Sequence, residues 1–150
     1  MPSTPSVSQP GRMAWALGLA GLIPFVGLAC VQVFSPPGWR MLAASALLSY
    51  GVVIVSFLGG IHWGLALRQS RASAGSWLWA ITASLLGWFA ALLEGLWGQA
   101  LLALTLLLCL WVDHKVYRRL GLQAWLPLRR LLTVVATLSV LAAAVGYWVL

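Results

Sequence analysis

The sequence predicts an all-α fold: a polytopic transmembrane helical bundle of about five spans. Three observations predict it. Charge is too scarce for a water-facing surface, several apolar runs are long enough to cross a bilayer, and the basic residues gather in alternate connecting segments.

Scarcity of charge decides the solvent. Of 150 residues, 62% are hydrophobic and 7% charged, whereas a soluble domain carries about 25% charged residues. Too few ionic groups remain to cover a folded surface in water, so hydrocarbon is the medium this composition fits. Nine Lys or Arg stand against two acids, Glu94 and Asp113, for a net charge of +7. Such a balance points to nucleic acid only where the cations form a basic face among polar and aromatic contacts. Here they lie in short segments between apolar runs. Nucleic acid is therefore not an expected partner, and the lipid bilayer is.

Residues 1–12 (MPSTPSVSQPGR) are rich in Pro and Ser without apolar periodicity and read as a disordered tail. Residues 13–150 read as a single transmembrane domain. The first apolar run is longer than a signal-peptide core and lacks a small-x-small cleavage site. Leu28-Ala29-Cys30 resembles a lipoprotein cleavage site but lies too deep in the run.

The first span is expected over 13–34, with a kink at Pro24, where a backbone hydrogen bond is lost. Ser35-Pro36-Pro37-Gly38 is a hard stop. The second span is expected over 41–67, ending at Arg68, and the third over 77–93. Glu94-Gly95 is a tight connection to a fourth span over 97–112. A basic segment at 113–130 precedes the fifth span, 131–150. At about 1.5 Å of rise per residue these runs suit a hydrocarbon core of about 30 Å. Within the basic segment, Val116, Leu120, Leu122 and Trp125 alternate with cations, which predicts a stretch lying along the headgroups.

Five spans place Arg12, Arg68, Arg71, Lys115, Arg118, Arg119, Arg129 and Arg130 on one side and Arg40 alone on the other. The positive-inside rule then puts the N-terminus inside and the C-terminus outside. It also assigns Arg68, Arg71, Lys115, Arg118, Arg119, Arg129 and Arg130 to topology and lipid contact. A re-entrant hairpin over 77–112 would leave this count unchanged, although the length of each arm favours crossing. Trp15, Trp63, Trp77, Trp79, Trp111 and Trp125 fall near the inner interface, and Trp39, Trp97 and Trp148 near the outer one. Indole rings prefer that level. Cys30 and Cys109 are expected toward opposite faces, too far apart for a disulfide.

His62 is the leading candidate for chemistry. An ionisable side chain at membrane depth needs compensation and is by default a functional position. Imidazole ligates haem iron, relays protons and bonds quinone carbonyls. The candidate ligand-binding set is His62 with Gly59, Trp63, Asp113 and His114, the last two reaching the same side of the membrane from the end of the fourth span. The competing reading is structural: His62 lies only a turn and a half from Arg68, where it can bond water or a neighbouring helix. Ser56, Gly60 and Gly64 recur every four residues as a small-residue stripe suited to helix packing. Pro24 belongs with that packing group as the site of the kink.

Glu94 reads as a solvated helix-terminus carboxylate. A proton-coupled transporter would need a water path from Glu94 to His62 across the whole bundle. The chain has no phosphate-cradling loop, no Cys-x-x-Cys and no HExxH, so no catalytic residue, metal site or resident cofactor is expected.

Two N-terminal segments resemble a known family. These are Leu19-Ala20-Gly21-Leu22-Ile23-Pro24-Phe25 and Tyr50-Gly51 leading into Ser56-Phe57-Leu58-Gly59-Gly60-Ile61-His62-Trp63-Gly64. Asp113, Trp125 and Leu128-Arg129-Arg130-Leu131-Leu132-Thr133 resemble its C-terminal pattern. The family is that of transmembrane protein 69, uncharacterised polytopic proteins of bacterial and mitochondrial membranes. The resemblance implies a bacterial inner-membrane or mitochondrial inner-membrane address and brings no established activity. It also implies that Arg is accepted where this chain has His62, which counts against haem ligation. The expected role is a non-enzymatic accessory or assembly partner of a membrane complex, touching other subunits through small-residue helix faces. The alternative is a binder of a quinone or haem beside His62.

Overall fold

The computed structural model describes residues 9–149, with side chains placed through Gly146. Residues 1–8 of the expected tail and the side chain of Trp148 lie outside the described residues. Six α-helices form the fold: α1 (Arg12–Ala20), α2 (Ile23–Phe34), α3 (Pro37–Leu67), α4 (Ala74–Leu93), α5 (Gly95–Arg119) and α6 (Leu126–Val149). With α1 and α2 counted as one broken span, five segments among the described residues are long and apolar enough to cross a membrane. Among the described residues there is no strand.

The break in the first span comes at Gly21-Leu22, just before Pro24. Its position has a steric cause: a proline ring clashes with the carbonyl four residues earlier, here that of Ala20. The carbonyl of Gly21 is freed at the break and accepts a 2.8 Å bond from the hydroxyl of Tyr50 on α3. The break is thus pinned rather than loose.

Helices α3, α4, α5 and α6 all begin two to five residues before the expected positions, and α5 also ends later. Helix α3 begins at Pro37, where a fixed φ and a missing N–H suit the first turn. Helix α5 does not stop at 112 but continues through Asp113-His114-Lys115-Val116-Tyr117-Arg118-Arg119. The basic segment therefore extends the α5 rod and does not lie along the headgroups as a separate stretch. Helix α5 ends in a Schellman turn: Gly121 takes φ +73 and the Leu122 N–H bonds the Tyr117 carbonyl at 2.8 Å. Arg118 and Arg119 occupy its last turn, where the helix dipole favours cations. A 3-10 turn at Gln123–Trp125 leads straight into α6.

Helix α3 is central and packs against α2, α4, α5 and α6. Its backbone comes close to that of α4, where a Cβ on Gly59 would stand 2.5 Å from the Ala80 carbonyl oxygen. Ala80, Ala83, Gly87 and Ala90 form the buried small-residue face that α4 turns toward it. In lipid, where tails are as apolar as Leu, close backbone approach supplies the dispersion contact that burial supplies in water. The stripe of Ser56, Gly60 and Gly64 points elsewhere. Gly60 and Gly64 are exposed, and nothing lies within 4 Å of where their Cβ atoms would be. Packing within the chain therefore uses Gly59, and the predicted stripe faces outward.

Candidate functional site

Antiparallel crossing brings Arg12, the 68–73 turn and the α5–α6 turn to one end of the bundle, the basic end. There α3, α5 and α6 each contribute one ionisable side chain to a buried cluster. Asp113 stands on the stripe of α5 that also carries Leu102, Leu106 and Cys109, all buried. Its Oδ1 accepts a 2.7 Å bond from His62 Nε2, which assigns the ring proton to Nε2 because a carboxylate only accepts. Its Oδ2 accepts a 2.7 Å bond from Arg129 Nε. His62 and Asp113 are each 2% exposed and Arg129 is 9%. The ring of Tyr117, one turn beyond Asp113, lies 6.4 Å from that of His62.

The predicted ligand set divides. His62 and Asp113 come together. His114 points from another face of α5 and its Nε2 pairs with Arg130 Nη2 at 2.7 Å. Gly59 is filled by the α4 backbone, and Trp63 packs edge-on against Trp77 with ring centroids 5.0 Å apart. His62 is buried, and its Nε2 is engaged with Asp113.

Arg129 is a correction. Sequence reasoning assigned it to topology and lipid contact, but its guanidinium lies inside the bundle on Asp113. A signal was present. Arg129, Thr133, Ala136, Thr137, Val140, Ala143 and Ala144 recur at spacings of three and four, the face that α6 buries. Arg130, its neighbour, is exposed as expected. Lys115 also stays at the surface, with its ammonium 3.4 Å above the ring of Trp111.

Beside the cluster lies a cavity of 910 Å³, bounded by α1, α2, α3, α5 and α6. Arg68, Gln69, Tyr117 and Arg129 line its basic end, and Leu22, Phe25, Ile54, Leu106 and Ala136 line its deeper part. Neither His62 nor Asp113 lines it. Among the described residues, no group of three His, Cys, Asp or Glu is placed to hold a metal ion.

Residues 10–145 match the family described as Protein of unknown function (DUF3429). The chain belongs to that family. Transmembrane protein 69 of Xenopus tropicalis is 30% identical over 139 residues, covering 90% of this chain and 54% of the relative. The chain thus spans about half the length of that curated relative. No solved structure matches. This DUF3429 chain is a multi-pass helical membrane protein, and membership of the family carries no assigned activity.

Proposed function

We propose that the chain is a non-enzymatic subunit or assembly partner of a larger complex in the bacterial cytoplasmic membrane or the mitochondrial inner membrane. Its basic end faces the cytoplasm or matrix. One observation carries the reading: the glycine pair Gly60 and Gly64 lies on the outward face of α3, with none of the described residues of neighbouring helices within 4 Å of where their Cβ atoms would stand. Glycine in a helix interior costs about 0.5–1 kcal/mol relative to Ala. Inward glycines such as Gly59 offset that cost through close approach to a neighbouring helix. Gly60 and Gly64 have no such return inside the chain, so the return is a helix from a second protein. The polar cluster supports the same reading, because both oxygens of Asp113 and the Nε2 of His62 are committed to one another or to Arg129. Orientation rests on the cation asymmetry.

The test is a native gel of mild-detergent extracts with wild type and Gly60→Ile/Gly64→Ile. The variant is expected to fold with a melting temperature no lower than that of wild type, since the added side chains meet only lipid and two helix-interior glycines are removed. A stoichiometric complex seen with wild type should vanish. A wild-type chain running alone in native extracts, or a complex indifferent to the two isoleucines, would end the proposal.

A further inference from the structure

We infer that the 910 Å³ cavity beside Arg129 is a binding site for an acidic phospholipid, which places its phosphate at the basic end and one acyl chain among the apolar residues beyond. This goes beyond the partner-subunit reading and is independent of it, because the glycine face and the cavity share no residue.

The first support is hydrogen-bonding capacity left over in the wall. Arg129 gives its Nε to Asp113, but its Nη2 is buried and has no partner. The hydroxyl of Thr133, one turn further along α6, is buried and has no partner either. Both residues line the cavity. A buried donor left unsatisfied costs about 1–3 kcal/mol, more when charged. An oxygen acceptor entering at this end of the cavity, with a turn of either side chain toward it, supplies the partner that the chain does not.

Charge fixes the kind of oxygen. Arg68 and Arg129 line the cavity and no carboxylate does. Asp113, the only acid at this end, turns both oxygens away into His62 and Arg129. Arg129 is already paired with Asp113, so Arg68 leaves the wall one net positive charge, and an anionic phosphate suits it better than a neutral carbonyl.

Shape fixes the rest. Polar residues gather at the basic end, at headgroup level, while Leu22, Phe25, Ile54, Leu106 and Ala136 line the part that runs toward the bilayer centre. Leu17 and Phe57 also line the cavity and are 66% and 64% exposed, so its lateral edge opens toward lipid. A molecule can enter from the bilayer with one chain inside and the other outside. The volume lies within the range of about 300–1,000 Å³ typical of small-molecule sites.

The experiment uses the full chain, delipidated in detergent, with phosphatidylglycerol, phosphatidylcholine and oleate as probes. Retention is read by native mass spectrometry and stabilisation by thermal unfolding. Arg129 itself is a poor variant because its loss strands Asp113, so Thr133→Val and Arg68→Gln carry the test. Wild type should retain one phosphatidylglycerol over phosphatidylcholine by about tenfold or more, as two guanidinium contacts allow. Arg68→Gln should lower that preference by about fivefold, one surface cation's share. Thr133→Val should weaken retention by about tenfold, one hydrogen bond to a charged group. The same Thr133→Val variant should melt at a higher temperature than wild type when lipid-free, because it removes a stranded hydroxyl, and gain less from phosphatidylglycerol. Equal retention of the two phospholipids, or variants that behave as wild type, would overturn the assignment. Oleate displacing phosphatidylglycerol would overturn it as well, by making a free fatty acid the occupant.

Discussion

The bundle buries polar side chains at both ends, and the two ends solve the problem differently. At the end away from the cations, Gln32 and Gln99 exchange amide bonds: Gln99 Nε2 donates to Gln32 Oε1 at 2.7 Å and Gln32 Nε2 donates back at 3.2 Å. Gln32 Nε2 also reaches the Ala143 carbonyl at 3.1 Å. Donors and acceptors there match without charge. At the basic end Asp113 supplies the acceptors for His62 and Arg129, and donor capacity is still left over. A neutral, closed pair stitches α2, α5 and α6 together and asks for nothing further. A charged cluster with surplus donors calls for a visitor. The two acids of the chain divide in the same way, Asp113 buried at 2% exposure and Glu94 exposed in the turn between α4 and α5.

This contrast is broken most directly at Asp113. Asp113→Asn keeps the shape but leaves Arg129 buried without a counter-charge, and thermal unfolding in detergent should show a loss of about 3–5 kcal/mol. A loss no larger than that of an ordinary surface change would mean that Arg129 finds water there.

The amide pair should be worth less. Gln99→Leu is expected to cost about 1–2 kcal/mol, the scale of interhelical hydrogen bonds in membranes. The double variant Gln32→Leu/Gln99→Leu should recover most of that, because neither amide is then stranded. If the double variant falls as far as the sum of the singles, the pair is more than a local match.

Glu94 gives the smallest effect and the opposite sign. Its backbone sits at φ 50, ψ −178, a region that suits glycine. Glu94→Gly should therefore raise stability by about 1 kcal/mol. Unchanged unfolding would indicate that the carboxylate compensates through its solvent contacts.

Much of this was legible in the residues. Low charge, long apolar runs and the stop at Ser35-Pro36-Pro37-Gly38 gave the five segments, because lipid leaves a chain few alternatives to helices. His62 and Asp113 were legible as reaching the same side of the membrane, but no spacing in the sequence enforces their contact. Arg129 was not, because charge counting treats every cation in a connecting segment alike, and only the α6 face separates it from Arg130. The continuation of α5 to Arg119 was hidden for the same reason: a run of charges looks like an end when hydropathy is the guide. The Gly59 approach was masked by the neighbouring Gly60, as two adjacent glycines offer two faces and the residues alone do not say which is used. The cavity had no signature at all, since a void is a property of how helices cross.

Helix α5 runs unbroken from Gly95 to Arg119 and carries Gln99 and Asp113 on one buried stripe. Fourteen residues separate them, about 21 Å along the axis. The rod is thus keyed near both of its ends, once to α2 through Gln32 and once to α3 and α6 through His62 and Arg129. Rotating it or sliding it by a turn would disengage both keys in the same movement. Motion of this protein is therefore expected in α1 and α4, which neither key engages, with α5 held fixed.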